Sequence, residues 1–299
     1  MGELRKMYIT FGHMLEVGIH RLEEAKIADA KRDAETLLLY LEKADRTFLY
    51  VHRNDATDEY RADAYFSLID RRAAGEPLQY ILGSQEFMGL NFAVNPSVLI
   101  PRQDTETLVE LALKRAGEKK RSLSILDMCC GSGAIAVSMA HFLPKAKITA
   151  CDISPEALEV ARGNAARNGL NGRIEFRESD LFFMTKRKKT VRIKDSFDMI
   201  LSNPPYIPTQ DIDTLQTEVR DHEPIKALDG GSDGLDFYRR IAEDAFGSLK
   251  KDGLMFLEIG CDQAEAVTSF LRGAGYYSEI EVHKDLTGLD RVISCRRQR

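Results

Sequence analysis

With 299 residues, 43% of them hydrophobic and 30% charged, the chain is long enough for one large domain or two ordinary ones and can build its cores without staples. A net charge of −5 argues against non-specific binding to nucleic acid, which needs a basic face. No apolar run approaches the roughly 18 residues of a membrane span, and the first residues lack the apolar core of an export signal, so a cytoplasmic protein with no membrane association is expected. The five cysteines (Cys129, Cys130, Cys151, Cys261 and Cys295) form no C-x-x-C pair and histidines are scattered, so reduced thiols and no metal site are expected.

Residues 1–84 read as helical. Ala34, Leu37, Leu38 and Leu41 recur at i, i+3, i+4 and i+7, and similar spacing runs through Met14–Ala25 and Ala62–Ala73. Acidic residues slightly outnumber basic ones here, which suits a protein partner better than a phosphate backbone. Gly75, Pro77 and Gly83 break the pattern. Residues 85–101 then read as a hairpin linker, with Phe87, Leu90, Phe92 and Val94 around Gly89, Asn95 and Pro96. Helix signals resume at Asp104-Thr105-Glu106, and residues 102–299 form the third segment.

From residue 123 strand and helix alternate. Strands are expected at Leu123–Met128, Ile148–Cys151, Ile174–Arg177, Phe197–Leu201 and Leu254–Ile259. Helices are expected at Ala134–Phe142, Pro155–Arg167, Phe237–Leu249 and Ala264–Leu271, and a late strand pair at Tyr276–Val282 and Arg291–Cys295. Such alternation predicts an α/β fold, a mostly parallel sheet with helices on both faces. Lys186-Arg187-Lys188-Lys189, with Arg192 and Lys194 beyond, reads as a solvated hairpin or loop between two strands.

The first strand of this sheet ends in Asp127-Met128-Cys129-Cys130-Gly131-Ser132-Gly133, and a helix follows at once. Glycines let backbone approach a ligand, and a helix N-terminus offers free N–H groups, although a purely structural turn has the same composition. Asp152 ends the next strand, where an acid can accept hydrogen bonds from both ribose hydroxyls of a nucleoside. Ser154 reads as the N-cap of the following helix with Pro155 behind it, which leaves Asp152 for a ligand. Asp180, after the third strand, fits a contact to an adenine amino group, and an ordinary loop acid fits there equally well. A nicotinamide cofactor and S-adenosylmethionine both suit these landmarks. The turn lacks the third glycine of a dinucleotide site, and its acidic flank suits a sulfonium and an ammonium, which favours the methyl donor.

The fourth strand leads into Ser202-Asn203-Pro204-Pro205-Tyr206-Ile207-Pro208. Two prolines fix φ twice and force an extended, rigid exit from the sheet. The Asn203 side-chain oxygen and the Pro204 carbonyl can both accept hydrogen bonds from a single NH₂ group. Such a pair holds a planar nitrogen in place and favours positive charge developing on it, while Tyr206 can cover the flat face of the substrate. Methyl transfer to a planar amide or amine nitrogen is therefore expected.

These residues resemble the HemK/PrmC family, the glutamine methyltransferases that modify class 1 peptide-chain release factors. Asn203-Pro204-Pro205-Tyr206-Ile207 is shared with many amino-group methyltransferases. The more discriminating stretches are Gly75-Glu76-Pro77-Leu78-Gln79-Tyr80-Ile81-Leu82-Gly83, Glu86-Phe87, and Leu99-Ile100-Pro101-Arg102-Gln103-Asp104-Thr105-Glu106. The late run Asp285-Leu286 with Gly288-Leu289-Asp290-Arg291 is also similar. The resemblance implies a Rossmann-like class I methyltransferase domain behind an N-terminal helical substrate-recognition domain. It implies S-adenosylmethionine held by Asp127, Cys129, Cys130, Gly131, Ser132, Gly133, Asp152, Asp180, Leu181 and Asn203. Asn203, Pro204, Pro205 and Tyr206 would then hold the glutamine of the release factor's Gly-Gly-Gln loop. Cys129 and Cys130 stand where the family usually has glycine and threonine, and Leu181 where some members have an aromatic. A monomer with no stable nucleic-acid binding is expected. The competing enzyme is a DNA adenine or RNA guanine methyltransferase with the same catalytic run, and the competing non-enzyme is a nucleotide-binding interaction module.

Overall fold

Apolar residues three and four apart in the first part of the chain become the buried faces of α1 (Phe11–Glu24), α2 (Ala30–Glu42) and α3 (Glu59–Ala73). The computed structural model describes residues 9–117, 122–186, 189–193 and 196–298. Thr10 caps α1 by accepting the His13 N–H at 3.2 Å, and Asp58 caps α3 by accepting the Arg61 N–H at 2.8 Å. Ala34, Leu37 and Leu38 pack with Met14, Leu22, Tyr65 and Ile69 in one apolar core. Gly18 is where α1 meets Tyr65: an added Cβ would lie 2.3 Å from that hydroxyl. Arg72 crosses this unit inside, donating to Asp33 and to Glu218 at 2.7 Å each. Glu218 belongs here because the unit takes in Thr217–His222 as well as the chain up to Gly83.

The larger unit begins with an antiparallel hairpin, β1 (Ser84–Phe87) and β2 (Leu90–Ala93). The hairpin is more than the linker its sequence suggests. Phe87 and Phe92 are fully buried in the core of the larger unit, and the Ala93 N–H donates to Asn164 at 2.6 Å. After α4 (Asp104–Gly117) come β3 (Ser124–Met128), α5 (Ala134–Phe142), β4 (Lys147–Asp152), α6 (Pro155–Arg167) and β5 (Ile174–Glu178). A small hairpin, β6 (Phe183–Lys186) and β7 (Lys189–Arg192), precedes β8 (Phe197–Ser202), α7 (Asp236–Asp244), β9 (Leu249–Glu258), α8 (Ala264–Ala274), β10 (Tyr277–Lys284) and β11 (Asp290–Arg297).

Seven strands form one sheet in the order β10-β11-β9-β8-β3-β4-β5. The five from β9 to β5 run parallel, and β11 and β10 add antiparallel at one edge. Residues alternate between the two faces, as the pleat requires. Ile125, Ile148, Met199 and Phe256 face α4, α5 and α6, while Leu126, Cys151, Ile200 and Met255 face α7 and α8. Helices cover both faces, so the central strands carry apolar residues on both sides, as in Met199-Ile200-Leu201 of β8 and Leu254-Met255-Phe256-Leu257 of β9. The chain moves outward from β3 to β5 and then returns to place β8 on the other side of β3. That reversal is a topological switch point, where α/β sheets open a crevice at the carboxyl ends of their strands.

Two expectations need correction here. The helix expected over Phe237–Leu249 stops at Asp244, and a 3₁₀ turn at Ala245–Gly247 leads into β9, which starts at Leu249 rather than Leu254. Ala245 and Leu249 keep helical spacing, but Leu249 is needed beside Phe197 in the sheet. The basic segment forms a hairpin with Arg187, Lys188 and Lys194 outside the described residues. Its Arg192 is held by the Asp244 carboxylate at 3.3 Å and by the carbonyl of the same residue.

Candidate active site at the carboxyl edge of the sheet

The turn after β3 and the run after β8 leave adjacent strands side by side, Ser202 pairing with Met128 in the register. The Ser202 hydroxyl donates to the Met128 carbonyl at 2.9 Å and ties the two exits together. Between them opens a cavity of about 480 Å³, within the usual range for a small-molecule site. Cys129, Gly131, Asp152, Asp180, Leu181, Asn203 and Pro205 all line it.

The turn is shaped by backbone that L side chains rarely adopt, with φ of +58° at Cys129, +51° at Gly131 and +79° at Gly133. Gly131 leaves open space where a Cβ would sit, as a close ligand approach needs. Gly133 does a different job, because its Cβ would lie 3.0 Å from that of Ala161. It lets α5 and α6 pack. Burial and the neighbouring Asp152 carboxylate raise the Cys129 thiol well above the usual thiol range.

Asp152 is not free, contrary to the sequence argument. Its two oxygens accept the N–H groups of Gly131 at 2.8 Å and Ser154 at 2.9 Å. Burial raises its pKa and these bonds oppose the rise. A carboxylate has about four lone-pair sites, so acceptor capacity remains toward the cavity. Ser154 caps α6 as expected, accepting the Ala157 N–H at 3.1 Å.

Asp127, expected to face the donor, is 1% exposed and lies off the cavity. It accepts the Ala136 N–H at 2.9 Å and so anchors the first turn of α5. Desolvation raises its pKa far above the usual carboxylate range. Cys130, Ser132 and Gly133 are also absent from the cavity wall. Asp180 reaches it with a half-exposed side chain paired to Arg240 at 2.7 Å. Pro204 and Tyr206 are absent from the wall too, while Asn203 and Pro205 are part of it.

Several lining residues carried no signal in isolation. Ile153, Ile225 and Phe237 add apolar surface near the acids, and Val98 and Leu99 enter from the segment before α4. The Arg102–Asp104–Thr105–Glu106 motif resolves into four separate bonds. Arg102 pairs with the buried Glu223 at 2.5 Å, holding the two lining segments around residues 97–102 and 223–229 together. Asp104 meets Arg291 at 3.2 Å, the Thr105 hydroxyl accepts from Asn203 Nδ2 at 3.2 Å, and Glu106 accepts the Met88 N–H at 2.6 Å. The glycines of Asp229-Gly230-Gly231-Ser232-Asp233-Gly234 have a role that only the structure shows. They brace the run after β8: Ile207 exchanges backbone bonds with Leu228 and Gly230 at 2.9 and 2.8 Å. A Cβ on Gly234 would sit 2.3 Å from the Tyr206 carbonyl. Three glycines in six residues was the signal available.

The donor set fits S-adenosylmethionine: a half-buried acid at the end of β4, an open glycine at the turn, apolar walls, and no third glycine or basic cradle at the turn for a pyrophosphate. Fold and site together define a class I S-adenosylmethionine-dependent methyltransferase. Residues 13–83 match the PrmC N-terminal domain and residues 104–220 the Methyltransferase small domain. The chain is 42% identical to a release factor glutamine methyltransferase of Moorella thermoacetica over 97% of its own length and 99% of that protein's. It is 44% identical to the protein of the same name from Geobacter sulfurreducens, over 92% of each. The chain belongs to the release factor glutamine methyltransferase family. A solved structure, the release factor-specific protein-(glutamine-N5) methyltransferase of Alicyclobacillus acidocaldarius, is 32% identical, spans 70% of this chain and 100% of that one, and has a TM-score of 0.41.

Proposed function

We propose that this chain transfers the methyl group of S-adenosylmethionine to the side-chain amide nitrogen of the glutamine in the Gly-Gly-Gln loop of class 1 release factors. The observation that carries the reading is that Asn203 and Pro205 wall the same cavity as Gly131 and Asp152, while the NH₂ edge of Asn203 is already given to Thr105. The carboxamide oxygen of Asn203 is then the edge left for the substrate.

Asp152 and the Gly131 turn hold the ribose of the donor, with Ile153, Leu181 and Phe237 against its base. Asn203 Oδ1 and the Pro204 carbonyl accept the two hydrogens of the glutamine NH₂. An amide nitrogen is a poor nucleophile because its lone pair is delocalised. Fixing both hydrogens aims what remains of that lone pair and stabilises the charge that develops on nitrogen. Bound there, S-adenosylmethionine would supply a methyl group on a sulfonium, whose sulfur would keep the C–S electron pair as leaving group. One amide proton then leaves to water, so this scheme requires no strong base. Tyr206 covers the amide plane. The unit comprising residues up to Gly83 and Thr217–His222 recognises the release factor as a protein, and the enzyme acts as a cytoplasmic monomer.

The test is transfer of labelled methyl from S-adenosylmethionine to purified release factor, with DNA and ribosomal RNA in parallel. Label on the loop glutamine, lost when that glutamine is replaced, is expected. Label confined to nucleic acid sinks the choice of substrate.

A further inference from the structure

The last residue of β9, Glu258, is 1% exposed, and neither of its carboxylate oxygens makes a hydrogen bond of full geometry among the described residues, the Thr105 and Asn203 side chains being the donors within reach. Buried polar groups are nearly always satisfied, and an unsatisfied carboxylate is among the most unfavourable exceptions. Its surroundings are those of the site. Thr105 on α4 and Asn203 at the exit of β8 face it. The charged and titratable groups around it are Asp104 on α4, Arg291 on β11, Tyr206 beyond β8 and Tyr238 on α7. Arg291 is already shared between Asp104 at 3.2 Å and Asp285 at 3.1 Å.

We propose that Glu258 is a positioning residue that, together with Thr105, keeps the NH₂ edge of Asn203 turned inward and so presents its carbonyl oxygen to the amide substrate. The inference rests on the substrate-holding role of Asn203 given above. A carboxamide can sit either way round in the same space, since its oxygen and nitrogen are nearly isosteric. An ionised carboxylate only accepts hydrogen bonds, so it tolerates only the NH₂ edge beside it. Protonated, the same group donates. It can then bond the Asn203 oxygen, and the flipped amide would point NH₂ at the NH₂ of the substrate. Burial pushes the Glu258 pKa up to about 7, so both forms are populated near neutrality and activity follows the ionised one.

The test uses the full chain with labelled donor and purified release factor. In the wild type kcat rises with pH through about 7. Glu258→Gln lowers kcat by about tenfold to a hundredfold, the scale of a misplaced reacting group, flattens that limb and leaves donor affinity unchanged. Glu258→Asp recovers part of the rate and keeps a pH limb. Thr105→Val lowers kcat and leaves the limb in place, which guards against a Glu258 variant that fails to fold. Wild-type kcat with an unaltered pH profile in Glu258→Gln overturns the proposal. So does a parallel loss of donor affinity, which marks a structural role. A wild-type chain that labels nucleic acid overturns the substrate reading alone, and the same Glu258 measurements then run on that substrate.

Discussion

Among the described residues the Asn203 side chain is tied only to Thr105, at 3.2 Å, and to the neighbouring Glu258, so little of the fold depends on it. Asn203→Ala is expected to lower kcat by about 10²–10³, as loss of one well-placed acceptor or donor does, and to leave the unfolding midpoint near that of the wild type. Steady-state kinetics beside a denaturation curve checks both halves. The cysteines divide by burial. Cys261 is exposed, Cys129 is half-buried at the cavity wall and Cys130 is buried, and desolvation keeps both turn thiols protonated. Alkylation at neutral pH followed by peptide mass spectrometry should find Cys261 modified and the turn intact. Glu258 also leaves a mark on stability. Its folded pKa of about 7 lies above the ordinary 4.5, so the folded state holds a proton that the unfolded state releases first. The stability this gives is complete below about pH 4.5 and is lost as pH rises through about 7. It is on the order of 3 kcal/mol. Denaturant unfolding across that window should show the decline in the wild type and a shallower one in Glu258→Gln, with the raised Asp127 adding to the residual slope.

At the scale of elements, the rigid exit from β8 is only as fixed as the loop that braces it. Gly234 lies at φ +73°, and its missing side chain makes room for the Tyr206 carbonyl. Gly234→Ala should destabilise by about 1–3 kcal/mol from backbone strain and crowding, and should lower kcat more than donor affinity because Tyr206 moves. Isothermal donor binding beside kinetics separates the two effects. Strand and helix periods made most of this sheet legible, because each element carries its own apolar pattern and its own caps, such as Ser154 with Pro155. Where the sequence misled, a long-range pairing outweighed local spacing: Leu249 continues the helical pattern of α7 and is spent on the strand beside Phe197. The Arg102–Glu106 motif was visible as a string, but its meaning was not. Its four polar side chains go to partners near residues 223, 291, 203 and 88, and no spacing rule connects them.

For the molecule as a whole, the two units can be perturbed one at a time. Arg72 and Asp33 are both nearly fully buried in the smaller unit, and removing the cation leaves an uncompensated carboxylate. Arg72→Ala should therefore destabilise that unit by about 3–5 kcal/mol while the larger unit still binds S-adenosylmethionine. Loss of release-factor methylation with retained donor binding would place recognition in the smaller unit; equal methylation by the variant would remove that role from it. The sequence by itself determined the alternation that makes a doubly wound sheet, the glycine turn, and the Asn203–Tyr206 run, because periodicity, φ restriction by proline and donor–acceptor chemistry are all local. Only the tertiary structure decided which acids meet the cavity. Asp127 and Asp152 both lie near the carboxyl ends of neighbouring strands, yet Asp127, one residue inside β3, is buried under α5, while Asp152, the last residue of β4, borders the ligand space. Glu258, silent as the last residue of an apolar strand, comes to lie beside Asn203 because β9 pairs with β8. Such placement depends on strand order, which no residue encodes alone.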